Sequence, residues 1–153
     1  MQATSITRRL TLSALCCGLL WQPLHADEES RVRGRSGSED LSHEMSTCAA
    51  YFSLLSSIVQ NSAGAEKKTP AERIKLTGQE MLSQAINIAK YIGMDENAPL
   101  EHAQRQLKEM VETINNDPPN SLRIMQTKYG QPCDELLVKA PQRFLDLLQD
   151  YDD

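Results

Sequence analysis

The stretch His43-Glu44-Met45-Ser46-Thr47 opens like a zinc-peptidase helix, in which two histidines four residues apart share one face and hold the metal. Thr47 stands where the second histidine is required, so the motif is absent. Beyond residue 26 the chain has only two histidines, His43 and His102, both among polar neighbours, and the expectation is a surface position for each. No nucleophile elbow, P-loop or dinucleotide fingerprint is present, and the glycines are scattered singly. The carboxylate pairs Asp95-Glu96, Asp134-Glu135 and Asp152-Asp153 are adjacent in sequence, so on a helix they point apart and do not make an acid/base pair. The aspartates at 146, 150, 152 and 153 lack the loop spacing of a calcium site. The sequence therefore predicts no enzyme, no cofactor and no metal.

Two further residues matter chemically, Cys48 and Cys133. Whether they meet as thiols or as a disulfide depends on the compartment, which the N-terminus addresses. Arg8 and Arg9 precede the apolar run Leu10 to Trp21, and Leu24-His25-Ala26 follows. This order of charge, short apolar segment and small residue is that of a signal peptide over 1–26, cleaved on export. The run is too short to span a bilayer, which takes about 20 residues. Thr7-Arg8-Arg9-Leu10-Thr11-Leu12 resembles a twin-arginine export signal with Thr11 in a position usually held by Phe, and the choice of export route stays open. The residues before Cys16 and Cys17 do not suit lipid attachment. A periplasmic or secreted location is expected.

In an oxidising compartment the two remaining cysteines allow one pairing, Cys48–Cys133, and the sequence predicts that disulfide. With no C-x-x-C and no nearby histidine, a redox-active or metal-binding pair is disfavoured. Closing so long a loop is worth about 4 to 5 kcal/mol on a chain-entropy account.

The whole chain of 153 residues has a formal charge of −5. Residues 1–26 hold two basic and no acidic residues, leaving 14 basic against 21 acidic and a charge of −7 over 27–153. That charge and the lack of a basic patch argue against nucleic acid and anionic lipid as partners. No membrane insertion of the mature form is expected.

The elements that must position these residues are all helical. Residues 27–38 have one apolar residue, Val32, and no periodicity, and read as a flexible leader with a small basic cluster at Arg31, Arg33 and Arg35. Residues 39–153 read as a single α-helical domain. Leu41, Met45, Cys48, Phe52, Leu55 and Val59 form one face of a first helix over 39–61, widened by Tyr51, Leu54 and Ile58. After a linker at 62–68, Thr69-Pro70-Ala71-Glu72 has the form of a capping box, with Thr69 and Glu72 exchanging backbone bonds and Pro70 in the first helical position. The second helix runs from 70 to Ile92, with Gly93 as a left-handed stop and Gly78 at a close crossing. A third spans 98–115, striped by Leu100, Ala103, Leu107, Met110, Val111 and Ile114, with charged pairs on its outer face. A shorter fourth helix over 119–129 points Leu122, Met125 and Tyr129 inward and stops at Gly130. Pro132 opens the next turn, and Pro141 opens a final short helix. The fold expected is a disulfide-stapled all-α bundle of four main helices plus one or two short C-terminal helices.

Two functions fit. The first is an exported bacterial envelope protein that acts by protein–protein interaction, in the manner of an inhibitor, an immunity protein or a chaperone, with a protein partner whose identity and oligomeric context the sequence leaves open. The alternative is a periplasmic small-ligand carrier with a pocket between helices one, two and four, lined by Tyr51, Phe52, Tyr91 and Tyr129. A dry pocket above about 300 Å³ would favour the carrier, and a filled core with an exposed apolar patch would favour the interaction protein.

Overall fold

A computed structural model describes residues 23–62 and 68–152, and every element in them is helical. Helix α1 is Pro23–Ser62, α2 is Lys68–Tyr91 and α3 is Ala98–Asn116. Helix α4, Ser121–Met125, passes through a π-helical turn, Gln126–Gly130, into α5, Gln131–Asp152. The expected all-α bundle is therefore the observed fold, and Cys48 and Cys133 lie at disulfide distance with Cα atoms 5.4 Å apart.

The central contact is the antiparallel pair α1–α2, built on small residues seven apart. On α1 these are Ser42, Ala49 and Ser56; on α2 they are Ala71, Gly78 and Ala85. Ser42 Oγ donates to the Ala85 carbonyl at 3.0 Å, and Ser56 Oγ donates to the Ala71 carbonyl at 2.8 Å. Between them a Cβ on Gly78 would stand 3.1 Å from the Ala49 carbonyl oxygen. The residue numbers of the three pairs have one common sum, as a single antiparallel register requires. The close crossing expected at Gly78 is thus one step of a repeat. Larger residues flank it, with Met45, Phe52, Met81 and Ile88 buried in the core.

Residues 27–38, expected to be a flexible leader, are instead the N-terminal part of α1. Gly34 and Ser38 are buried there, and Gly37 has no Cβ to obstruct Leu147 of α5, which packs onto the helix backbone. An exposed Arg33–Glu29 pair one turn apart adds local support. Small-residue packing carries no apolar period, which is why hydropathy alone reads this segment as a loop. Residues 1–22 of the expected signal peptide lie outside the described residues, as do 63–67 of the expected linker; 23–26 belong to the first turns of α1.

Helix α2 starts at Lys68, so Thr69 lies within its first turn and not ahead of it, and Pro70 is the third residue rather than the first. Its end is as expected: Gly93 has φ 71°, and the Met94 amide reaches back to the Ala89 carbonyl at 2.8 Å. Helix α3 keeps its expected span and two of its three charged pairs, Glu101–Arg105 and Lys108–Glu112.

The C-terminal third departs from expectation. Gly130 does not stop a helix, and neither Pro132 nor Pro141 starts a separate one. A proline inside an α-helix lacks an amide donor and crowds the carbonyl four residues back. The wide turn before Pro132 relieves that crowding, since the Gln131 amide bonds to the Gln126 carbonyl five residues back. The chain then continues as α5, and Cys133 enters the core beside Cys48. Arg143 of α5 grips both carboxylate oxygens of Glu44 on α1, and this fork holds the Arg143 guanidinium above its ordinary pKa.

Two measurements check this architecture. Gly78→Val should destabilise the protein by about 1–3 kcal/mol in urea unfolding, although valine is the better helix former, because the added methyls meet the α1 backbone. A more stable variant would contradict the close crossing. Cys48→Ser should cost about 2–5 kcal/mol relative to the oxidised protein and lower its melting temperature, and unchanged melting would refute a stabilising cross-link.

Candidate functional site: an open groove on α1, α4 and α5

The four aromatics expected to line one pocket do not share one. Tyr51, Phe52 and Tyr129 come together in the core: the Tyr51 and Phe52 rings lie 5.4 Å apart and tilted, and Tyr51 and Tyr129 stack at 6.4 Å. Tyr91 is elsewhere, edge-on to Phe144 of α5 at 6.2 Å and 45% exposed. The expected pocket between helices one, two and four is therefore filled by its own residues.

Tyr51 alone of this trio opens onto a concave surface. The groove is about 970 Å³ in volume and runs between the second half of α1 and the α4–α5 arm. Leu54, Leu55 and Ile58 form one wall, and Leu122, Met125 and Val138 form the other. Leu122, expected to point inward, is 61% exposed, and Val138 is 80% exposed. The π-helical turn brings Gly130 under the Tyr51 ring, where a Cβ would stand 2.9 Å from the phenolic oxygen. An apolar surface rimmed by polar groups is the usual form of a contact site.

The rim is charged on the α5 side. Glu135 is paired with Lys139 at 2.9 Å, and that bond, aided by Gln131, holds its carboxyl below the usual range. Asp134 forms no ion pair among the described residues; it faces Tyr51, whose pKa is raised by burial first and by Asp134 second.

A second, smaller hollow of about 580 Å³ lies between α2 and α5, where Tyr91, Phe144 and Leu145 line it beside Pro141. On the other side of the wide turn Tyr129 is buried, and its hydroxyl has no hydrogen-bond partner among the described residues. Lys128 Nζ lies over that ring, 4.9 Å from its centre.

The two histidines are not separate surface residues. His43 of α1 and His102 of α3 stack with ring centres 4.6 Å apart and planes 7° from parallel, both half-buried. The Thr47 hydroxyl lies 3.0 Å from the His43 carbonyl oxygen and 3.0 Å from His102 Nε2, so it ties the two helices at the stack. A metal ion lies in the plane of each imidazole that binds it, and two nearly parallel, stacked planes cannot share one. Among the described residues no group of three or more His, Cys, Asp or Glu gathers for a metal, and no helix is long and apolar enough to cross a membrane.

Comparison of the chain with protein-family models, curated proteins and solved structures found no match.

The unpartnered phenol gives a test of the core behind the groove. Tyr129→Phe removes a buried hydroxyl that has no partner, so stability should hold or rise by about 1 kcal/mol in urea unfolding. A loss of that size or more would show that the hydroxyl is hydrogen-bonded.

Proposed function

We propose that this chain is a non-catalytic interaction protein, exported to the periplasm or beyond, which docks a helix of a partner protein in the groove between α1, α4 and α5. The observation that carries the reading is the groove itself: apolar on both walls, open along its length, and built from side chains as exposed as Leu122 and Val138. An amphipathic helix laid in such a groove buries an apolar face against it. Asp134 on the rim favours a partner helix with a lysine or arginine beside that face. The filled core around Tyr51, Phe52 and Tyr129 weighs against a carrier with an enclosed pocket. The Cys48–Cys133 pair supports export, since disulfides persist outside the reducing cytosol. An inhibitor or immunity protein would use the groove as a rigid surface, and a chaperone would use it for many clients.

The test is a pull-down from envelope extract with the full chain, its disulfide intact, compared with Val138→Glu and Leu122→Glu. Both positions are exposed, so the variants should melt with the parent. One partner retained in stoichiometric amount by the parent and lost by both variants supports the groove. A partner retained equally by all three places the contact elsewhere. No retained protein together with a small molecule co-purifying in native mass spectrometry would turn the assignment to a carrier.

A further inference from the structure

We propose that the stacked pair His43–His102 is an acid-released latch between α1 and α3, whose protonation loosens α3 from the bundle and uncovers its apolar stripe. This goes beyond the groove and does not depend on it, since neither histidine lines that surface.

The latch rests first on geometry. Each ring comes from a different helix, and the rings meet face to face at 4.6 Å. Neutral rings attract in such a stack. Two imidazolium rings so placed and half-buried repel strongly. Protonation of His102 places a positive charge on a ring stacked against a second titratable ring.

The groups around His102 on balance disfavour its charged form. His102 is held below the ordinary histidine pKa by burial first, then by His43, then by Arg105 one turn along α3; Glu109, also on α3, works the other way. Glu109 is shared with Lys128 of the π-helical turn. Among the described residues α2 brings no charge to bear on the ring. A base whose pKa is depressed in the docked state binds fewer protons there than when undocked. Docking is then at full strength above the ordinary histidine value of about 6.5 and weakens as pH falls below it.

Helix α3 is suited to release. Only Pro99, Ala103 and Met110 are fully buried in it, while Leu107 and Ile114 are half-buried. Elements with few buried side chains are the ones that open locally. Its release would expose a stripe of Ala103, Leu107, Met110 and Ile114.

The experiment is solution NMR of the full chain with the disulfide intact, titrated from about pH 7.5 to 5, reading the assigned histidine ring protons and amide protection factors. His102 should titrate below the ordinary value, and α3 protection should fall about twofold or more over that range while α1 and α2 change less. His102→Gln, which can still hydrogen-bond to Thr47, should abolish the α3-specific fall. His43→Phe keeps an aromatic ring in the stack without its charge and should make the fall smaller. An ordinary or raised His102 pKa, constant α3 protection, or an identical fall in His102→Gln would overturn the latch. Should the glutamine variant fail to fold at neutral pH, the parent titration and His43→Phe decide the question alone.

Discussion

Close approach of α1 to α2 is the constraint on which the rest of the bundle depends. Side chains no larger than serine recur every seven residues along both helices at this seam, so the two backbones come near enough for serine hydroxyls of one to reach carbonyls of the other. Those hydroxyls are buried, and each finds its acceptor, so the seam leaves no polar atom without a partner. With the backbones so close, the larger residues are displaced to the flanks. There Met45, Phe52, Met81 and Ile88 form the ridge against which α5 and α3 pack.

The arm from α4 to α5 meets this ridge under a second constraint, the passage of a proline through a helix. A wide turn is needed before Pro132, and the same turn sets both Cys133 and Gly130. One faces Cys48 and ties the arm to α1; the other lets Tyr51 lie against the backbone. The groove lies beside the same turn, with Leu122 before it, Val138 after it and Gly130 within it. Pro141 sits mid-helix in α5, beside the smaller hollow lined by Tyr91 and Phe144.

Much of this was legible in sequence wherever a single residue type had one strong physical meaning. Two cysteines left one pairing. Gly93 marked the end of α2, and the asparagine-proline run after Ile114 marked the end of α3. The apolar stripe of α1 from Leu41 onward predicted its buried face. What stayed hidden were features without a local signature. Glycine and serine at 34–38 argue for a loop until a partner helix arrives to use their small size. Prolines at 132 and 141 usually begin helices, and only a wide turn or a tolerated gap lets a helix run through them. Thr69-Pro70-Ala71-Glu72 had the pattern of a cap, yet the helix starts earlier. At the candidate site, Tyr51 lines the groove, Phe52 and Tyr129 are core residues, and Leu122 faces outward. His43 and His102 lie on different helices, and no spacing in the sequence could have shown that their rings would stack.

The cross-link between α1 and α5 also governs how the molecule responds to force. Tension applied at the two ends of the chain would pass through Cys48 and Cys133, which are 85 apart in sequence, and not through the span they enclose. The first 25 residues of α1 and the last 19 of α5 can be drawn out, while α2, α3 and the wide turn sit in a loop that carries no load. A machine that unravels chains from an end, whether an unfoldase or a narrow pore, would stall at that knot until it is reduced. Of the groove's apolar walls, Leu54, Leu55, Ile58, Leu122 and Met125 lie within the protected loop, and Val138 just outside it.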